Sequence, residues 1–125
     1  METTEFSHVA PDGTELAAYR WSPEGAPRAV VVVIHGLAEH ARRYARLGAA
    51  LTGAGYVGYA HDNRGHGRTA ARTGSRGTFG PGGWAAVVDD IGALVAHARS
   101  EHPDLLLVVL GHSLRPPEVA DRPAL

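Results

Sequence analysis

The chain predicts an α/β fold in which an N-terminal antiparallel hairpin is followed by a parallel β-α-β-α-β unit. Three observations carry that expectation. The run at 29–34, Ala-Val-Val-Val-Val-Ile, is apolar and β-branched without polar alternation, as a strand covered on both faces must be. Two stretches with helical spacing, 43–51 and 84–99, alternate with strand-like runs, and that alternation implies a mostly parallel sheet with helical crossovers. Ahead of them, two short half-buried runs flank Pro11-Asp12-Gly13, residue types that supply turn geometry without strain.

Each element has its own signals. Residues 6–9 and 15–21 pair as the hairpin. After the loop at 22–27 comes the Val-rich central strand. The first helix places Tyr44, Leu47 and Leu51 on one side, and Gly53 and Gly55 offer left-handed stops. A strand at 56–60 follows, then a Gly- and Arg-rich stretch at 61–83 without periodicity, longer than most connections and of the kind that is often functional. The second helix carries Val87, Val88, Ile91, Leu94, Val95 and Ala98, and Pro103 closes it before a last strand at 105–110.

Composition bounds what this fold can do. The 125 residues suit one domain, and the 12 basic and 13 acidic side chains nearly cancel, so no electrostatic footprint marks a nucleic-acid partner. Cysteine is absent, which excludes disulfides and thiolate nucleophiles. The start lacks a basic and an apolar leader region and no stretch has the roughly 20 apolar residues of a transmembrane segment; a cytoplasmic protein is the expectation. Eight histidines raise the question of a metal, but no His-Glu-x-x-His helix or compact ligand set is present. No cofactor is expected: 65–69 lacks the lysine and spacing of a phosphate loop, and the Gly-rich 74–83 has no dinucleotide fingerprint.

The chemistry concentrates at 105–114. An apolar strand runs through Gly111-His112 into Ser113, the arrangement of a nucleophile elbow, in which a sharp turn presents the serine hydroxyl at the carboxyl end of the sheet. A serine needs a histidine to take its proton, an acid to orient that histidine, and backbone donors for the oxyanion. Leu114 N–H is one donor. Leu37 N–H, in the loop His35-Gly36-Leu37-Ala38-Glu39-His40 after the Val run, is the other.

His35-Gly36 with Glu39-His40 and Arg43-Tyr44, then Asp62-Asn63-Arg64-Gly65-His66-Gly67, Gly74, Arg76-Gly77, Asp90 and Gly111-His112-Ser113 together resemble the monoacylglycerol lipase and lysophospholipase branch of the α/β-hydrolases, the serine aminopeptidase type. The likeness covers nearly everything before Arg115. It implies Ser113 as nucleophile, the Leu37 and Leu114 amides as oxyanion hole, a small-molecule acyl ester or lipid as substrate, and no cofactor or metal. It also implies that His35, Gly36, Glu39, His40, Asp62, Arg64, Gly65, His66, Gly67, Gly111 and His112 structure the loops beside the site.

The same resemblance sets up an expectation of incompleteness. In that branch the acid and the histidine follow the serine, and residues 114–125 contain no histidine; Glu118 and Asp121 are the acids there, too close in sequence for the family's acid. Arg115 stands where the elbow has glycine, and Pro116-Pro117 withhold the amides a helix would need to start beside Ser113. The chain therefore reads as a partial hydrolase domain at 1–114, truncated at the elbow, with an atypical tail at 115–125 of disordered composition. A truncated serine ester hydrolase, inactive alone, is one reading. The other is a non-catalytic fragment, or a binding or complementation module that self-associates through the exposed edge of its last strand.

Overall fold

The computed structural model of the chain describes residues 1–35, 44–63 and 83–111. Its elements are β1 (Glu2–Val9), β2 (Glu15–Ser22), β3 (Val30–Ile34), α1 (Ala45–Gly53), β4 (Val57–His61), α2 (Gly83–Glu101) and β5 (Leu107–Gly111). The strands form one sheet in the order β1-β2-β4-β3-β5. β1 and β2 are antiparallel, β2 is antiparallel to β4, and β3 is parallel to both β4 and β5. A hairpin followed by a parallel β-α-β-α-β unit is thus what these residues build.

Boundaries differ from expectation where backbone pairing, and not side-chain pattern, sets them. β1 begins at Glu2, four residues before its apolar signal, because its ladder with β2 runs unbroken from Glu2 opposite Ser22 to Val9 opposite Glu15. The turn between them places Gly13 at φ +89°, a conformation that costs glycine nothing. β5 begins at Leu107, since Leu106 still serves the entry turn, its carbonyl accepting Val30 N–H at 2.8 Å. Of the two candidate stops for α1, Gly55 takes the left-handed conformation at φ +89°, while Gly53 closes the helix and Ala54 caps it.

The two helices cover opposite faces of the sheet. Leu94 and Ala98 of α2 pack with Val30, Val32 and Ile34 of β3 and Val57 and Tyr59 of β4, supported by Phe6, Ile91 and Val95. On the other face, Leu47 and Leu51 of α1 meet Tyr19, Trp21, Val33 and Ala60. β3 therefore buries alternate residues on both faces, which is why its sequence shows no polar alternation.

Trp21 governs how closely α1 approaches. Its indole lies between Gly48 of α1 and Gly58 of β4, and a Cβ on either glycine would stand 2.7 or 2.8 Å from a ring carbon. Both positions therefore need glycine for space. Among the described residues β5 is the edge beyond β3: Leu107 packs against the cluster under α2, while Val108, Val109 and Leu110 are 46%, 49% and 44% exposed. No helix among the described residues is long and apolar enough to cross a membrane.

Candidate active site

The strand order reverses at β3, the position that marks the ligand crevice of an open α/β sheet. From β3 the chain crosses by α1 to β4 on one side, and from β4 it crosses by α2 to β5 on the other side of β3. In open α/β sheets ligands bind outside the carboxyl ends of the strands at such a reversal. Register brings the three parallel strands to a common end there: Val33 lies opposite Ala60, and Ile34 lies opposite Gly111. His35, Asp62 and Gly111 are therefore delivered to one place, although they stand far apart in sequence.

A buried polar cluster occupies this end. His35, His61, Asp62 and Asn63 are each at most 1% exposed. Asp62 accepts the Tyr19 hydroxyl at 3.0 Å through Oδ2, and its own N–H reaches the Ala17 carbonyl at 2.8 Å, tying the end of β4 to β2. Asn63 N–H donates to His35 Nε2 at 2.8 Å, and Asn63 Nδ2 donates to the His35 carbonyl at 3.3 Å. An amide nitrogen can only donate here, so His35 Nε2 carries no proton and the ring is the neutral Nδ1–H tautomer.

The chain of bonds continues to the hairpin. His61 Nε2 lies 3.2 Å from Asn63 Oδ1, and His61 Nδ1 lies 3.0 Å from His8 Nε2, the two rings stacking with centroids 5.2 Å apart. Burial, with a smaller contribution from the charge of His97, holds His8 down from 6.5 to about 4. His8 is therefore neutral at physiological pH.

A second polar cluster sits at the C-terminal end of α2. Tyr59 donates its hydroxyl to Glu101 Oε1 and lies 3.0 Å from His102 Nε2, while Arg20 Nη1 and His97 Nε2 approach the same carboxylate at 3.4 and 3.3 Å. Burial raises the Tyr59 hydroxyl, and the bond to Glu101 raises it further. Burial opposes ionisation of Glu101, but the bond from Tyr59 and the charges of His97 and Arg20 outweigh it and leave the carboxyl below its usual range. These contacts fasten α2 to β2 and β4 and have no place in the crevice.

Of the residues expected from sequence, His35, Asp62 and Gly111 are brought together at the crevice. Gly36, Leu37, Glu39, His40, Arg64, Gly65, His66, Gly67, His112, Ser113 and Leu114 lie outside the described residues, as does the tail at 115–125. His8, Tyr19, His61 and Asn63 belong to the polar cluster and were not singled out for such a role. His61 and Asn63 flank Asp62 and could have been found by their position after a strand; His8 and Tyr19 carry no such signal, since only the sheet places them there. Among the described residues no group of three His, Cys, Asp or Glu side chains is arranged to hold a metal.

A mixed sheet of this order, with antiparallel strands leading into parallel ones and helices on both faces, defines the α/β-hydrolase class. Comparison with known proteins agrees. Residues 25–114 match the family described as Serine aminopeptidase, S33, and the chain belongs to that family, on its monoacylglycerol lipase-like branch. It is 37% identical over 111 residues to the monoacylglycerol lipase of Mycolicibacterium smegmatis, covering 89% of this chain and 38% of that protein. With the mouse monoglyceride lipase it shares 33% identity over 106 residues, covering 85% and 33% of the two chains. Among solved structures, a thermostable carboxyl esterase from Bacillus coagulans superposes with a TM-score of 0.82 at 34% identity, over 90% of this chain and 36% of that one. The chain thus spans under two-fifths of the length of these relatives.

Proposed function

We propose that these residues are the nucleophile-bearing part of a serine ester hydrolase acting on small-molecule acyl esters of the acylglycerol type. Ser113 Oγ attacks the ester carbonyl, the Leu37 and Leu114 amides hold the resulting oxyanion, and collapse expels the alcohol to leave an acyl-serine that water hydrolyses. The proton of Ser113 must pass to a base and from it to the departing alkoxide. The observation that supports this reading is the common end of β3, β4 and β5: register sets Gly111 beside Ile34, so the chain leaves β5 toward Ser113 next to the point where it leaves β3 toward Leu37. The relatives' names support the ester chemistry.

We further propose that the 125-residue polypeptide by itself turns over little or nothing. Residues 114–125 contain no histidine, and Arg115-Pro116-Pro117 opposes the helix whose N-terminus would stabilise the oxyanion. The test is p-nitrophenyl acetate hydrolysis and fluorophosphonate labelling of the purified polypeptide beside Ser113→Ala. The expected result is equal, background-level turnover in both. Many catalytic cycles per molecule, abolished in Ser113→Ala, overturn the inactive reading; a fluorophosphonate adduct elsewhere than Ser113 overturns its assignment as nucleophile.

One observation favours a second reading, a module that pairs through its last strand. The described part of β5 is apolar on both faces and carries no charge, proline or bulge to discourage a neighbour.

A further inference from the structure

We infer that Asn63 is a positioning residue, a clamp that grips both the imidazole and the carbonyl of His35 and so sets where the chain leaves β3 toward the segment bearing Leu37. This rests on the acyl-serine reading, in which the Leu37 amide must point at the oxyanion. Oxyanion donors act only when held in place before the charge develops, and the root of such a loop is where that placement is decided.

The clamp has two jaws from one residue. The backbone N–H of Asn63 holds His35 Nε2 at 2.8 Å, and the side-chain Nδ2 holds the His35 carbonyl at 3.3 Å. Together they join the residue after β3 to the second residue after β4, beyond the last β3–β4 pair, Val33 with Ala60. The cross-link therefore continues the sheet's order past the ladder.

The orientation of the Asn63 amide is itself determined. The His35 carbonyl can only accept, so the opposite flip would set two oxygens against each other; Nδ2 must face it and Oδ1 must face His61. Oδ1 then requires a proton on His61 Nε2. His61 Nδ1 in turn meets His8 Nε2 at 3.0 Å, a bond that holds a single proton. His61 and His8 accordingly act as a buttress that prevents the amide from turning. Asparagine alone among similar side chains offers both a donor and an acceptor at this reach: aspartate lacks the donor, leucine lacks both, and glutamine is longer by a methylene.

The test is solution NMR of the isotopically labelled 125-residue chain. In the unmodified protein the expected results are a nitrogen–nitrogen coupling across the Asn63 N–H to His35 Nε2 bond, an Nδ1–H tautomer for His35 and a proton on His61 Nε2. Asn63→Asp keeps the acceptor for His61 and loses the donor for the His35 carbonyl; the His61 Nε2 proton should persist while the Gly36 and Leu37 amide resonances shift and those of α2 stay in place. Asn63→Ala should shift Gly36 and Leu37 and also lose the fixed His61 proton. A proton on His35 Nε2, or unmoved Gly36 and Leu37 resonances in a folded Asn63→Asp, overturns the clamp. If the variants do not fold, the tautomers and coupling of the unmodified protein decide alone. None of these readouts involves Ser113, so failure of the clamp is distinguishable from failure of the hydrolase reading, which fluorophosphonate labelling reports.

Discussion

Substituting Gly58 by alanine is the sharpest probe of the packing that holds α1 on the sheet. A methyl group there would stand 2.8 Å from Trp21 Cε3, whereas ordinary carbon contacts begin near 3.5 Å. The indole has little room to retreat, because the backbone of α1 at Gly48 lies so close that a Cβ added there would stand 2.7 Å from Cδ2, and Trp21 is 2% exposed. Overpacking of this kind costs about 1–3 kcal/mol, and the smaller conformational entropy of the unfolded alanine chain returns about 0.4–1 kcal/mol. Gly58→Ala should therefore destabilise by about 1–2 kcal/mol. Gly48→Ala suffers a similar clash but gains about 1 kcal/mol of helix propensity, so its net loss should be nearer 1 kcal/mol. Urea unfolding followed by far-ultraviolet circular dichroism measures both without relying on the perturbed indole. Repeating Gly58→Ala in a Trp21→Leu background removes the clash, and the coupling between the two positions should be at least about 1 kcal/mol. A Gly58→Ala protein as stable as the parent, or strictly additive effects, would refute the reasoning.

Other consequences follow from the polar clusters and the open edge. His8 has a folded proton affinity lowered from 6.5 to about 4, so the unfolded chain binds its proton first as pH falls. Stability fully present above 6.5 is lost between 6.5 and about 4, by on the order of 2 kcal/mol after allowance for partial exposure. His8→Phe, which keeps a ring on His61, should flatten this slope in urea midpoints; an unchanged slope would count against a neutral His8. Glu101 has the opposite sign: its carboxyl is lowered by Tyr59, His97 and Arg20 against burial, so its contribution is present above the unfolded carboxylate range and disappears as pH falls through the folded value. Glu101→Gln should destabilise at neutral pH and matter less near about pH 3, and equal losses at both would contradict the assignment. Finally, the parent should self-associate in sedimentation velocity and Val109→Lys, which puts a charge on the edge of β5, should not; a parent that stays monomeric at high concentration removes the pairing reading.

Much of the fold was legible in the sequence because its signals are local. The unalternating Val run marked β3, the 3.6-residue spacing of Ile91, Leu94, Val95 and Ala98 marked α2, and Pro11-Asp12-Gly13 marked the hairpin turn. Residues 2–5 gave no such mark: they are polar, and they join β1 because an antiparallel partner offers their backbone hydrogen bonds regardless of side chain. At the crevice, His35, Asp62 and Gly111 could be expected from their places after strands. Asn63 hid among them, since its role depends on facing the His35 carbonyl.

The amino-acid pattern by itself determined which segments are strands and helices, that the central strand is covered on both faces, and that a serine follows a strand through a glycine. Those are properties of neighbours along the chain, read from side-chain period and backbone propensity. Only the tertiary structure decided that β3 lies between β4 and β5, that Trp21 is gripped by two glycines, and that His8, 53 residues from His61 in sequence, completes a line of hydrogen bonds reaching His35. Contacts of that separation arise from sheet order and register, and these are settled by the burial of both faces at once and not by any single stretch of sequence.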